Sequence, residues 1–390
     1  MTVVAVDTLQ VAIVADLLEE QWPSMDLMAD MLMAHAADDA AGISPTLVRP
    51  AFTPKLPAWA RGRGRHVPTI ERVAHRFWSY PRWLGQQPLA DVYHIVDHSY
   101  AHLADSLPPG RVVITCHDID AFRSLLALEE CESQLPRFLV KRVLDGLRSA
   151  AAVVCDSDAT RAEVVANQLV PAERTAVVPI GVHPSCTTDP DPVADVIAAK
   201  LTGGAGTADI LHVGSTIPRK QIDVLLEIVA LVARSRPDMK LWRVGGAFTP
   251  AQSERARELG IEERIVVLPF ITRPVLAAVY RRAALVLLPS NREGFGLPVI
   301  EAMACGTPIV CSDLPVLREI GGPAAEYCAV DDPAEWAPRI AALLDERAHH
   351  PHAWAARQRA GVSRASHFSW ERCADAMRTI YRDVAMAAER

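Results

Sequence analysis

Residues 284–305 read ALVLLPS-NREGFG-LPVIEAMAC, and this stretch decides how the chain folds. An apolar run gives way to a turn holding Gly294 and Gly296, and then to a helical pattern with Pro298 in its first turn. Proline is at home there because the N–H it lacks would have no partner. The segment therefore reads strand–turn–helix, and the amides of Leu297, Val299 and Ile300 at the helix start form a ready anion site. Gly294 and Gly296 let the backbone come close to a ligand. Two carboxylates stand eight positions apart, Glu293 on the turn and Glu301 in the helix. Spaced carboxylates serve a glycoside hydrolase as acid and nucleophile; they also hold sugar hydroxyls with no proton transfer at all. A hydrolase acid needs an apolar pocket to keep its proton, and nothing in these residues promises one. A capped helix with solvated glutamates is the plain alternative.

The same alternation of apolar runs and amphipathic stretches extends in both directions, which signals parallel α/β structure. Strands are expected at 11–15, 91–96, 111–116 and 151–155 in the first half, and at 209–214, 240–246, 264–270, 284–290 and 307–312 in the second. Each half then resembles an open doubly wound sheet, whose ligands bind beyond the carboxyl ends of its strands. Between the halves, residues 184–208 are rich in Pro, Gly, Thr and Asp and read as a linker with room for one short helix. A length of 390 residues suits two domains. The net charge of −7 speaks against nucleic acid as a partner. The eight scattered cysteines show no C-x-x-C and read as reduced core thiols of a cytoplasmic protein. The first twenty residues lack the features of a signal peptide, and no apolar run reaches membrane-span length.

Residues 289–322, PSNREGFGLPVIEAMACGTPIVCSDLPVLREIGG, closely resemble the signature of the retaining glycosyltransferases of family 4. The resemblance is strong from 209 to 320 and looser in the first half. It implies a GT-B fold: two Rossmann-like domains facing across a cleft, at 1–183 and 209–366, with a helix at 367–390 crossing back to the first domain and acting at the hinge. It also implies a nucleotide-sugar donor in the second domain. Glu301 would bond the ribose and Glu293 the transferred sugar, with Gly294, Phe295 and Gly296 against sugar and phosphate. The pair would be a clamp, with no acid–base role. In the same pattern, LHVGSTIPRKQ (211–221) puts Arg219 and Lys220 on the leaving diphosphate, whose charge needs fixed cations when no metal is present. Ser215 stands where many relatives carry an arginine after the glycine, Gly214. Lys220 is one of only five lysines among forty basic residues. The base would lie near Phe270 and Ile271, in a way that UDP and GDP both fit.

In ITCHDID (114–120) the resemblance places His117 at a strand end, facing the donor sugar. Asp118, Asp97 and His98 fall on the acceptor side, as do Glu20, Trp22 and Ser24, which replace the glycine-rich turn of many relatives. Asp156-Ser157-Asp158 has the D-x-D form of a metal site, but capping of the following helix explains it. His94, His98 and His102 are spaced by four in a strand-like context that sends them to different sides. No metal and no cofactor is expected. The segment 48–83 carries eight Lys/Arg against one acid, interleaved with Trp59, Phe77, Trp78, Tyr80 and Trp83. It suits peripheral contact with an anionic membrane or a phosphorylated acceptor, or equally a helix and a loop with core tryptophans. The acceptor is a hydroxyl compound of open identity: a small molecule, a saccharide or a lipid-linked one. An epimerase would lack the E-x7-E spacing, and a phosphorylase would need a lysine for pyridoxal phosphate in a context not seen here. A non-catalytic partner subunit would have lost Glu293, Lys220 or His117.

Overall fold

The computed structural model describes residues 8–37, 42–51, 69–126, 135–203 and 208–390. The chain forms two compact units: residues up to Gly181 together with Trp370–Arg390, and Val182–Ser369. The first holds β1 (Leu9–Val14), β2 (Ile43–Val48), β3 (Val92–Ile95), β4 (Val112–Cys116), β5 (Ala152–Cys155) and β6 (Thr175–Val177). They pair in parallel in the order β2-β1-β3-β4-β5-β6. The second holds β7 (Ile210–Val213), β8 (Leu241–Val244), β9 (Ile265–Val267), β10 (Leu285–Leu288), β11 (Ile309–Ser312) and β12 (Glu326–Cys328), also parallel, in the order β12-β11-β10-β7-β8-β9. These are the two doubly wound α/β units the sequence led us to expect.

Interior strands such as VVITC and LVLL are buried along their whole length, because helices cover both faces of a parallel sheet. The strands that sequence reading passed over, β2, β6 and β12, all lie on sheet edges. β2 contains Pro45 and is half-exposed, and the other two have three residues each. An edge strand tolerates proline and needs no apolar run.

In each sheet the strand order reverses once, between β1 and β3 and between β7 and β10. The connections leave in opposite directions there, opening a crevice at the carboxyl ends. Residues 184–208 contain the helix Pro192–Thr202, capped by Asp191 and tied to the second unit by an Arg281–Asp195 pair at 2.7 Å. The helix Trp370–Ala388 belongs to the first unit. It buries Cys373, Met377, Tyr381 and Val384 at helical spacing, and Tyr381 and His94 share a 2.7 Å hydrogen bond.

Candidate functional site

The loops after β7 and β10 meet at the reversal point of the second sheet. The Asn291 amide donates to the Arg219 carbonyl at 3.0 Å and holds them together. The first loop passes Gly214 and makes a tight turn over Pro218–Lys220 before the helix Ile222–Ser235. Two cations at a helix start oppose its dipole. The anion that answers them is Glu293: Lys220 Nζ donates to its Oε1 at 2.5 Å, and Arg219 lies 3.6 Å from its Oε2. Ser290 also donates to Oε1, at 2.8 Å. Burial alone would raise the proton affinity of Glu293, but Lys220 and Arg219 outweigh it and hold the carboxyl below its usual range.

The helix Leu297–Ala304 starts from Gly296 at φ +92°, where a Cβ would lie 2.6 Å from Leu317 Cδ2, so only glycine fits. The Val299 amide, expected to be free, donates to the Gly296 carbonyl at 2.8 Å. Phe295 packs edge-on against Phe368. Glu301 is not solvated: it is 5% exposed, and Tyr280 donates its hydroxyl to Oε2 at 2.9 Å. Burial pushes its pKa up despite that bond. The apolar surroundings that the motif itself did not promise come from the helix Arg273–Arg282, whose buried face carries Tyr280. That tyrosine was missed because it reads as one more core aromatic. Phe270 is 89% exposed and Ile271 half-buried at the end of the β9 strand–loop.

In the first unit His117 follows β4. Its Nδ1 donates to Asp156 Oδ2 at 2.5 Å and its Nε2 to the Val96 carbonyl at 2.8 Å. Burial would depress the imidazole pKa, but Asp156, then Asp97 and the carbonyl, raise it to about 10. His117 is therefore held toward its cationic form, with both ring nitrogens hydrogen-bonded inside the first unit. Asp156 of the D-x-D serves that histidine, and Ser157 caps the helix Asp158–Ala166 by accepting from the Thr160 amide at 3.0 Å. The structure brings His98 to the same place: its Nδ1 accepts from the His117 amide at 3.3 Å, and Asp97 and Asp118 lie 3.5 and 3.6 Å from its ring nitrogens. Asp97 accepts from the Ser99 amide at 2.8 Å.

Glu20 and Trp22 form a separate group. Arg72 and Arg76 lie 3.5 and 3.9 Å from the Glu20 carboxylate, and the Arg76 guanidinium stacks over Tyr100 and Trp22. Ser24 sits in the helix Pro23–His35. Asp16, just beyond β1, was not singled out from the sequence; burial, with Asp97 and Asp26 nearby, raises its pKa to about 7. His94 bonds Tyr381 and Thr115, and His102 bonds the Arg76 carbonyl, so neither shares a site with His98. Of the basic segment, Phe77 and Tyr80 are core residues and Trp78 is 52% exposed. Residues 52–68, with Trp59 and the Gly-Arg run, lie outside the described residues.

Residues 196–360 match the family described as Glycosyl transferases group 1, and residues 32–185 match Glycosyltransferase Family 4. A D-inositol 3-phosphate glycosyltransferase of Segniliparus rotundus is 32% identical over 289 residues, covering 70% of this chain and 60% of that protein. A second protein of that name, from Thermobispora bispora, matches over 51% of its own length, so the chain spans about half or somewhat more of these curated relatives. An O-antigen chain mannosyltransferase B of Escherichia coli is 29% identical, over 67% of this chain and 68% of that one. Among solved structures, a sucrose-phosphate synthase of Thermosynechococcus elongatus superposes with a TM-score of 0.74 at 21% identity, covering 97% of this chain and all of that one. The Anabaena protein HepE, in complex with UDP and glucose, gives 0.69 at 16%, over 98% and 99% of the two chains. At such identities these structures speak to the fold.

Proposed function

We propose that this chain, which belongs to glycosyltransferase family 4, moves a sugar from a nucleotide-sugar donor to a hydroxyl acceptor with retention of configuration and without a metal. The observation that carries the reading is the Lys220–Glu293 pair with Arg219 beside it, at the reversal point of the second sheet. A sugar departing from a diphosphate leaves negative charge behind, and fixed cations in a preorganised site stabilise it without reorganisation. Lys220 and Arg219 are such cations, and Glu293 both aligns them and offers a carboxylate to the sugar hydroxyls. Glu301, oriented by Tyr280, accepts from the ribose. With Glu293 engaged by Lys220, no carboxylate among the described residues of this site is left as a nucleophile, and retention would come from front-face substitution in which the leaving phosphate takes the acceptor's proton.

His117, whose ring N–H groups are both taken, contributes a fixed positive charge. The acceptor belongs to the first unit, where Asp97, His98, Asp118 and Glu20 offer acceptors and donors to hydroxyls. The donor is a UDP- or GDP-sugar, in keeping with the UDP and glucose bound by the Anabaena relative in fold. No helix among the described residues is long and apolar enough to cross a membrane. From the scattered cysteines we infer a cytoplasmic enzyme, with 48–83 as its contact for an anionic surface.

Calorimetric titration of UDP, GDP, dTDP and ADP in EDTA, into wild type and Glu301→Ala, tests the reading. Tight binding of one nucleotide, weakened by the substitution, supports a metal-free clamp. Binding restored only by Mn²⁺, or absent throughout, overturns it.

A further inference from the structure

Arg243, in β8, is fully buried. Its Nη2 donates to the Gly214 carbonyl at 3.1 Å and its Nη1 to the Gly246 carbonyl, with the Phe248 ring 4.9 Å away. Among the described residues it pairs with no carboxylate. Burial lowers its pKa to about 10, which leaves it a cation at neutral pH. A buried charge facing only carbonyl dipoles is costly unless an anion compensates it. Beside it in register on β7 stands His212, also fully buried, with neither ring nitrogen hydrogen-bonded among the described residues. Lys220 packs against the same glycine, its Cδ 3.6 Å from where a Gly214 Cβ would be.

The two carbonyls bound by Arg243 fix what lies on the other side of their peptide planes. None of the described peptide bonds is cis, and in a trans peptide the N–H points away from the C=O. The amides of Ser215 and Ala247 are therefore turned away from the guanidinium, on exposed residues at adjacent strand ends. Neither donates to another backbone group among the described residues. The strand ends are pressed together: a Cβ on Gly245 (φ +128°) would lie 1.8 Å from the Gly214 carbonyl oxygen, so the approach requires glycine.

We propose that Arg243 is a positioning residue for the donor's diphosphate: it draws two carbonyls inward so that the amides of Ser215 and Ala247 face one anion, and that anion completes the charge balance of the buried guanidinium. The proposal rests on the function given above. It adds to the Arg219–Lys220 loop a second set of donors, made of backbone and held by a side chain that does not touch the ligand.

The test compares a diphosphate with its nucleoside. UDP, GDP, uridine and guanosine are titrated into the full chain as wild type, Arg243→Met and Arg243→Lys. For the nucleotide that wild type accepts, Arg243→Met lowers diphosphate affinity about tenfold and Arg243→Lys less, while nucleoside affinity holds. Equal diphosphate affinity in Arg243→Met, or parallel loss of nucleoside and diphosphate, overturns the proposal and leaves a structural brace. Should Arg243→Met not fold, wild type labelled with ¹⁵N at serine and alanine decides: the Ser215 and Ala247 amides shift with the diphosphate and not with the nucleoside. Stationary signals sink the idea. A wild type that binds no nucleotide overturns the proposed function and this inference together, whereas undiminished binding in Arg243→Met overturns the inference alone.

Discussion

At the carboxyl ends of β4 and β5 the charged side chains pair with one another, while inside β7 and β8 two buried polar side chains are left open. In the first unit His117 is closed off by Asp156 and the Val96 carbonyl, and Asp97 by Ser99. In the second, among the described residues His212 has no hydrogen-bond partner and Arg243 bonds only to carbonyls. Both regions are buried and polar, so the contrast does not come from depth. A buried polar group without a partner costs stability, and a fold keeps such groups where a ligand supplies what is missing. The second unit's edge therefore suits the external anion proposed above. The first unit's edge is a largely closed network, with Asp156 Oδ1 alone of the His117–Asp156 pair lacking a hydrogen bond among the described residues, and it presents a preset charge.

Lys220→Ala strikes the open edge hardest. Initial rates of nucleotide release from the preferred donor should fall by about 10²- to 10³-fold, the usual effect of losing one preorganised donor. A loss below tenfold would move the leaving-group role to Arg219. Asp156→Asn opens the closed edge and should cost about 3 kcal/mol, because a buried histidine loses its charge partner. The pH dependence gives the sign. The folded-state pKa of His117 is raised to about 10 from 6.5, so its contribution is complete below pH 6.5 and fades as pH rises through 10. Wild type should lose melting temperature across that window, and Asp156→Asn should show a flatter slope.

A smaller effect separates the two glutamates of one motif. The pKa of Glu301 is raised in the folded state, so its burdened carboxylate destabilises the protein once pH exceeds 4.5 and passes the raised value. That of Glu293 is lowered, so it stabilises above pH 4.5 and the benefit disappears as pH falls through its folded value. At pH 8, Glu301→Gln should therefore raise unliganded stability and Glu293→Gln lower it, read by urea denaturation. Changes of the same sign would contradict this account of the motif. Phe270→Ala should do least: an 89% exposed ring contributes little to folding, so the melting temperature should stay put. Nucleotide affinity should drop by about 1 kcal/mol if the base stacks there.

The sequence showed this edge asymmetry only in part. Glu293, Arg219 and Lys220 were legible because each sits in a short motif that resembles the family signature, although the contact between Lys220 and Glu293 spans 73 positions. Tyr280, Arg243 and Asp156 were not read for what they do. Each acts on a group brought to it by sheet pairing or helix packing, and local pattern carries no trace of that. Arg243 left one usable sign, a charged residue inside the apolar run of an interior strand. Edge strands were missed for the converse reason: β2, β6 and β12 are held by a single neighbour and need little apolar character of their own. The burial of Glu301 was not visible in its motif because its cover arrives from residues 273–282.

The hydrogen bond between His94 and Tyr381 joins residues 287 positions apart. A ribosome releases the chain from its amino end, so the first sheet is made long before the helix that covers His94 exists. Through that interval the second unit can close its own core, while the first stays provisional, its β3 and β4 missing the helix Trp370–Ala388. Contacts this distant in sequence also form late in refolding, since loop closure must precede any reward. The unit that is first in synthesis is thus the last to be completed, and a chain cut short before Trp370 would carry a finished second unit attached to an unfinished first.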